Sequence, residues 1–302
     1  PLGSRGVTGV VWRQDAAQEE GGVARDRLKE ISAVLPVPPL PESVRKLVDW
    51  VAEYTLAKRG AVLRMAMSVP AALEPAKMRL AYLAGEELPE RLTPARQRVL
   101  DVLADGLPRG AMEIAREAAV SAGVVRGLAD TGALRRVSLP AWQAPETPDW
   151  RLPRATLSAD QRAAAVALSA RVREAAFSVT LLDGVTGSGK TEVYFEAVAA
   201  ALEAERQALV MLPEIALSTQ WLERFRARFG AAPAVWHSEL GQRARRETWR
   251  AVATGAARVV VGARSALWLP FAELGLMVVD EEHDGAFKQE DGVIYHARDM
   301  AV

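Results

Sequence analysis

From residue 157 onward the apolar residues fall into short unbroken runs separated by longer amphipathic stretches, which is the signature of alternating strands and helices. Runs at about 177–182, 208–212, 258–262 and 276–279 predict strands, and the stretches at about 159–174, 190–204, 218–229 and 242–254 predict helices. Ala208-Leu209-Val210-Met211-Leu212 and Val259-Val260-Val261 show no polar alternation. Such strands belong to a parallel sheet covered on both faces, so this half of the chain reads as an α/β lobe.

The first half follows other periods. Gly6 to Trp12 and Leu28 to Leu35 are strand-like, and an acidic loop lies between them. From Pro41, apolar residues at Val44, Leu47, Val48, Val51 and Ala52 predict a helix to about Tyr54, followed by a second helical piece over Lys58 to Met65. Trp50 and Tyr54 stand four apart on the first of these helices; a core position is the favoured reading, a base-stacking pair the other. Thr93-Pro94 is a helix start, Met112 to Ala119 and Ser121 to Asp130 are two further helices, and Ala133 to Val137 is strand-like, the order of a winged helix. Arg126, Arg135 and Arg136 would be its phosphate contacts, so this unit reads equally as a groove reader or a packing module. Four prolines and two tryptophans between Pro140 and Pro153 then mark a semi-rigid linker.

Composition narrows the class. The 302 residues suffice for two or three domains, and half of them are hydrophobic. Lys plus Arg equals Asp plus Glu at 38 each, so the chain is no polybasic tail, although local basic faces remain available to nucleic acid. Without cysteine, disulfides and Cys-based zinc sites are excluded within it, which fits a cytoplasmic setting. No apolar run has the length of a membrane span, and no membrane association is expected. Pro1-Leu2-Gly3-Ser4 has the look of a protease-cleavage scar.

Two motifs carry chemistry. Gly184-Val185-Thr186-Gly187-Ser188-Gly189-Lys190-Thr191 meets the phosphate-loop template G-x-x-x-x-G-K-[ST] between a predicted strand and a predicted helix. There the amides of Gly184, Thr186, Gly187, Ser188 and Gly189 surround phosphates, Lys190 reaches the β- and γ-phosphates, and the Thr191 hydroxyl ligates Mg²⁺. The second is Asp280-Glu281-Glu282-His283, a DEAH-like run closing the strand at 276–279. Asp280 is assigned to Mg²⁺ and Glu281 to the attacking water, so Lys190, Asp280 and Glu281 form the expected catalytic set. His283 suits coupling to another element better than zinc, since no second His or Cys lies at ligand spacing. Gln161 has the side chain to read the N6 and N7 edge of adenine, which would favour ATP.

Beyond these motifs, Asp183 to Tyr194, Leu212 to Ser218, His237 to Leu240, Gly262 to Ala266, Asp280 to Asp284, Phe287-Lys288-Gln289 and Tyr295 to Asp299 resemble the first RecA-like lobe of the PriA family of superfamily 2 replication-restart helicases. Pro1 to Arg5 with Gly9-Val10-Val11 is similar to the end of that family's DNA 3′-end-binding domain, which makes the apparent scar native. The resemblance implies a partial 3′-end domain (1–68), a connector (69–92), a winged helix (93–139), a linker (140–156) and helicase lobe 1, a RecA-like P-loop NTPase (157–302). It implies DNA contacts from Leu212 to Ser218 and from Arg264 and Ser265, since hydroxyls and an arginine at strand ends suit phosphates. The 284–295 loop would sense DNA, with Phe287 and Tyr295 as stacking faces and Lys288 as charge, or would be an ordinary surface loop with two buried rings. Gly3 and Lys29 fall where the family receives a nascent-strand 3′ end.

The implied activity is that of an ATP-dependent 3′-to-5′ DNA helicase and ATP hydrolase that recognises stalled or branched forks and supports primosome loading. Implied partners are forked and single-stranded DNA, single-stranded DNA-binding protein and other primosome proteins, with the protein itself a monomer. The second lobe, its arginine finger and the family's cysteine-rich zinc insertion lie outside these residues, so the chain alone is expected to bind nucleotide and hydrolyse it poorly. Two alternatives stay open: another superfamily 2 translocase, RecG-like or restriction-type, and a fork-binding module with an ATP-controlled switch.

Overall fold

A computed structural model describes residues 9–12, 30–75, 77–87, 89, 91–142, 144–213 and 219–302. Helices α1 (Glu42–Tyr54) and α2 (Arg59–Ala66) come first, α1 burying Val44, Val48 and Val51 and α2 burying Val62 and Ala66. Strand β1 (Met78–Ala84) precedes α3 (Pro94–Val102), α4 (Ala111–Glu117), α5 (Ala122–Asp130) and β2 (Leu134–Pro140). β1 and β2 pair antiparallel from Met78 opposite Pro140 to Ala84 opposite Leu134. The strand that completes this three-helix unit therefore comes from residues assigned to a connector. Thr93 begins α3 as expected, its side chain accepting from the Arg96 amide ahead of Pro94 at the first helical position.

The lobe contains α6 (Ala159–Glu174), α7 (Lys190–Glu203), β3 (Gln207–Met211), α8 (Thr219–Phe229), β4 (Ala234–Trp236), α9 (Gln242–Ala253), β5 (Val259–Gly262) and β6 (Leu274–Val279). Its four strands are parallel in the order β4-β5-β3-β6, with β3 between β5 and β6. The continuous apolar runs are explained by that placement, since every residue of β3 and β5 is buried. Phe195 of α7 sits at the centre of an aromatic cluster with Tyr194, Trp221, Phe225 and Phe229, its edge-to-face partners at 5.4–5.7 Å between centroids. These rings seat α7 and α8 on the sheet and fix the direction in which the first turn of α7 points. A short hairpin, β7 (Lys288–Gln289) and β8 (Tyr295–His296), and α10 (Ala297–Ala301) follow.

Three expectations from the pattern fail. Residues 177–182 form no strand; Phe177, Val179 and Leu181 are 81%, 60% and 79% exposed. A β-branched run becomes a strand only where a pleated surface receives it, and here Leu182 alone is taken up, beside Leu157, Ala165 and Val193. Of the two N-terminal strands predicted, the described parts, 9–12 and 30–35, are not strand, and Ile31 and Val34 are exposed. Trp50 and Tyr54 are not core residues. They stack on each other at 5.1 Å with nearly parallel rings, both exposed, because the buried face of α1 is the one carrying Val44, Val48 and Val51.

Candidate nucleotide site

The phosphate loop meets α7 through backbone that only glycine adopts at low cost. Gly187 and Gly189 have φ of +79° and +81°, and a Cβ on Gly189 would stand 2.6 Å from Gln161 Nε2. Helical hydrogen bonding begins with the amides of Glu192 and Val193, which donate to Gly189 O, so the amides just before them are first-turn donors aimed out of the helix end. Lys190 Nζ donates to Gly184 O at 2.6 Å and Val185 O at 3.4 Å, folding the side chain over its own loop.

Gln161 supports that loop. Its Nε2 donates to Ser188 O at 2.8 Å while its Oε1 accepts from the Ser158 amide at 2.8 Å, closing a capping box at the start of α6. One amide hydrogen and one lone pair remain beyond these two bonds, so the side chain braces the loop in this conformation and keeps capacity for a base edge.

Asp280 extends the pairing of β6 with β3, its amide donating to Met211 O at 3.0 Å. One carboxylate oxygen accepts from the Glu281 amide at 3.0 Å; the other accepts from the Tyr194 hydroxyl at 2.9 Å. Trp221 Nε1 donates to that same hydroxyl at 2.8 Å. Tyr194 was given no role in the sequence, and the signal was slight: it lies three residues after Thr191 and therefore on the same helix face. Burial, with the Asp280 charge behind it, pushes its phenol well above the ordinary value, so it stays protonated and donates. Glu281 is in left-handed backbone at φ +51°, a strained conformation of the sort that collects at functional sites. Its carboxylate is exposed, 3.8 Å from His283 Nε2, and Glu282 is paired with Arg298 at 2.9 Å.

The expected DNA contacts are dispersed differently. Gly3 and Lys29 lie outside the described residues, as do positions 214–218 of the Leu212 to Ser218 stretch. Arg264 directs its guanidinium at Ala286 O and Lys288 O, and Ser265 accepts from Trp236 Nε1 at 3.2 Å. Lys288 is exposed and paired with Glu290 at 2.9 Å. Phe287 and Tyr295 require correction as stacking faces. They are 0% and 4% exposed, Tyr295 accepts from Trp268 Nε1 at 2.8 Å, and the β7–β8 hairpin turns both rings into the lobe. A cleft of about 700 Å³ lies elsewhere, between residues 150–157, α6 and the later turns of α7. The arginines that line it are engaged: Arg228 and Arg154 with Glu196, Arg173 with Glu203, and Arg162 with Leu157 O.

A phosphate loop at the head of a helix and an acid at the end of β6 beside it, on a parallel sheet, define a helicase-type nucleotide-binding lobe. Residues 159–301 match the DEAD/DEAH box helicase family, and residues 1–68 match the 3′DNA-binding domain (3′BD) family. The chain is similar to bacterial proteins called Replication restart protein PriA. It is 33% identical to that of Chlamydia pneumoniae over 277 residues, 87% of this chain and 37% of the relative. Identity reaches 52% with that of Rickettsia felis over 123 residues, 41% of this chain and 19% of the relative. With that of Bacillus subtilis it is 42% over 146 residues, 48% and 18% of the two chains. The chain thus spans well under half the length of these curated relatives. Among the described residues no helix is long and apolar enough to cross a membrane.

Proposed function

We propose that this chain is the DNA 3′-end-binding and ATP-binding part of a 3′-to-5′ replication-restart helicase, which acts on stalled or branched forks and supports primosome loading. The observation that carries the reading is the bond from Tyr194, three residues after Thr191 on α7, to Asp280 at the end of β6, so that one contact between helix and strand carries Thr191 and Asp280. Both are hard oxygen donors of the kind Mg²⁺ takes, and few protein ligands are needed where phosphates supply the rest, so the residues fit the ion. When bound, Mg²⁺ neutralises charge developing on the transferred phosphoryl group. Lys190, now spent on Gly184 O, is the cation that would turn to the phosphates, and the first-turn amides of α7 would hold them.

Glu281 would orient the attacking water, a role its strained backbone supports, and Gln161 keeps capacity for an adenine edge. Arg264, Ser265 and Lys288 remain the candidates for DNA phosphate, each needing release from a present partner. A protein of this kind would meet forked and single-stranded DNA, single-stranded DNA-binding protein and other primosome proteins. Zinc has no cysteine ligands in this sequence.

Lys190→Ala tests the site. Titration of the chain with a fluorescent ATP analogue should show nucleotide binding lost while forked DNA is still bound; unchanged nucleotide affinity sinks the assignment.

A further inference from the structure

Tyr194 ties the helix of the phosphate loop to the end of β6. Its hydroxyl donates to Asp280 Oδ2 and accepts from Trp221 Nε1. These two bonds have a directional consequence. An indole N–H only donates, so Trp221 fixes the phenol as acceptor on one side and leaves its own hydrogen for the carboxylate. One buried phenol therefore orients a carboxylate contributed by a residue 86 positions further along the chain.

The scaffold around it is stiff. Tyr194 is 4% exposed and Trp221 6%, and Phe195 and Phe225 pack the neighbouring rings edge-on or stacked at 5.4–5.7 Å. The second carboxylate oxygen of Asp280 is held independently by the Glu281 amide, so the hydroxyl sets the remaining rotation of that group.

We propose that Tyr194, locked by Trp221, is a positioning residue that pre-orients Asp280 toward the nucleotide-bound Mg²⁺ without touching the nucleotide itself. The inference rests on the nucleotide-site reading above. It goes beyond that reading by separating metal affinity from nucleotide affinity: removing the hydroxyl loosens the Asp280 carboxylate, and the phosphate-binding amides and Lys190 are unaffected. Outer residues that orient metal ligands contribute about 10–100-fold to affinity or activity, which sets the scale.

The test titrates Mg²⁺ against the 302-residue chain holding a fluorescent ATP analogue, for the unaltered chain, Tyr194→Phe and Trp221→Phe. Tyr194→Phe should raise the Mg²⁺ midpoint about tenfold or more, with nucleotide affinity in excess EDTA unchanged. Trp221→Phe should raise it less, in the same direction, since Tyr194 keeps its bond to Asp280. The indole N–H resonance of Trp221 should shift on Mg²⁺ addition in the unaltered chain and stay still in Tyr194→Phe. An unchanged midpoint in both variants overturns the proposal, and so does an equal loss of affinity with and without Mg²⁺. If the unaltered chain binds no nucleotide at all, the site reading itself has failed instead.

Discussion

Helices α1 and α2 have no core of their own: Val44, Val48, Val51 and Val62 pack in one cluster with Trp249, Trp268 and Phe287 of the lobe. By contrast, α3, α4 and α5 keep Val99, Leu103, Ile114, Val125 and Leu128 in a cluster that contains no lobe residue. Polar bonds follow the same division. Trp249 Nε1 donates to Ala66 O at 3.1 Å, and the Arg250 guanidinium reaches the carbonyls of Ala71, Ala72 and Glu74, so α9 grips the end of the first unit. The stripe of an amphipathic helix says that it must be covered, and nothing in the stripe says by which part of the chain. The segment assigned to a separate N-terminal domain is, in its described helices, built into the foundation of the nucleotide-binding lobe.

The largest effect should come from Trp249→Ala. It removes a buried ring and its bond to Ala66 O, and about 3–5 kcal/mol should be lost from a single transition that includes α1, α2 and the lobe. All eight tryptophans lie outside residues 77–140, so tryptophan fluorescence in a denaturant titration follows the lobe without the three-helix unit. Hydrogen exchange at α1 should lose protection in step. If α1 opens at a lower denaturant concentration than the lobe, the shared core does not bind them into one cooperative unit.

Leu128→Ala probes the other side. Leu128 is fully buried in the three-helix cluster, and its truncation should cost that unit about 2–5 kcal/mol. Hydrogen exchange should register the loss over α3 to α5 while the tryptophan-detected midpoint stays in place. Movement of both together would show that the two cores communicate and that their separation is only geometric.

The lobe was legible because its signals are strong and local. The apolar runs of β3, β5 and β6, the glycine loop opening α7 and the Thr93-Pro94 start of α3 all declare themselves within a few residues. What failed depended on distant partners. Met78 to Ala84 reads as nothing in particular until β2 lies beside it, and Ala234-Val235-Trp236 is too short to stand out from a loop. Residues 177–182 have a strand's composition and no surface that receives them. Phe287 and Tyr295 were readable either as stacking faces or as buried rings, because the hairpin that decides between the two is only two residues long on each side. Lys190, Thr191 and Asp280 were visible as motifs, whereas the hydroxyl that holds Asp280 lies 86 residues from it and only tertiary structure reveals the bond.

The smallest effect should separate the two regions by pH. In the three-helix unit the Arg109 guanidinium grips Asp105 with two bonds, Nη1 to Oδ1 at 2.7 Å and Nη2 to Oδ2 at 2.5 Å, and the Leu107 amide adds a third at 3.0 Å. That grip holds the carboxyl down to about 2, from an ordinary value near 4. A carboxylate depressed in the folded state contributes stability that is complete above its unfolded value, declines as pH falls below about 4, and is gone below the folded value. The pair is solvent-facing, so the contribution is modest and screened by salt. Asp105→Asn should therefore lower exchange protection in α3 to α5 at pH 5, and the gap to the unaltered chain should close as pH approaches 2. Protection in the lobe should be identical in the two proteins throughout. A gap that persists at pH 2 would mean that the asparagine damages the loop directly, and one that spreads to β3 or α7 would break the independence of the two cores by a change made wholly on the surface of one of them.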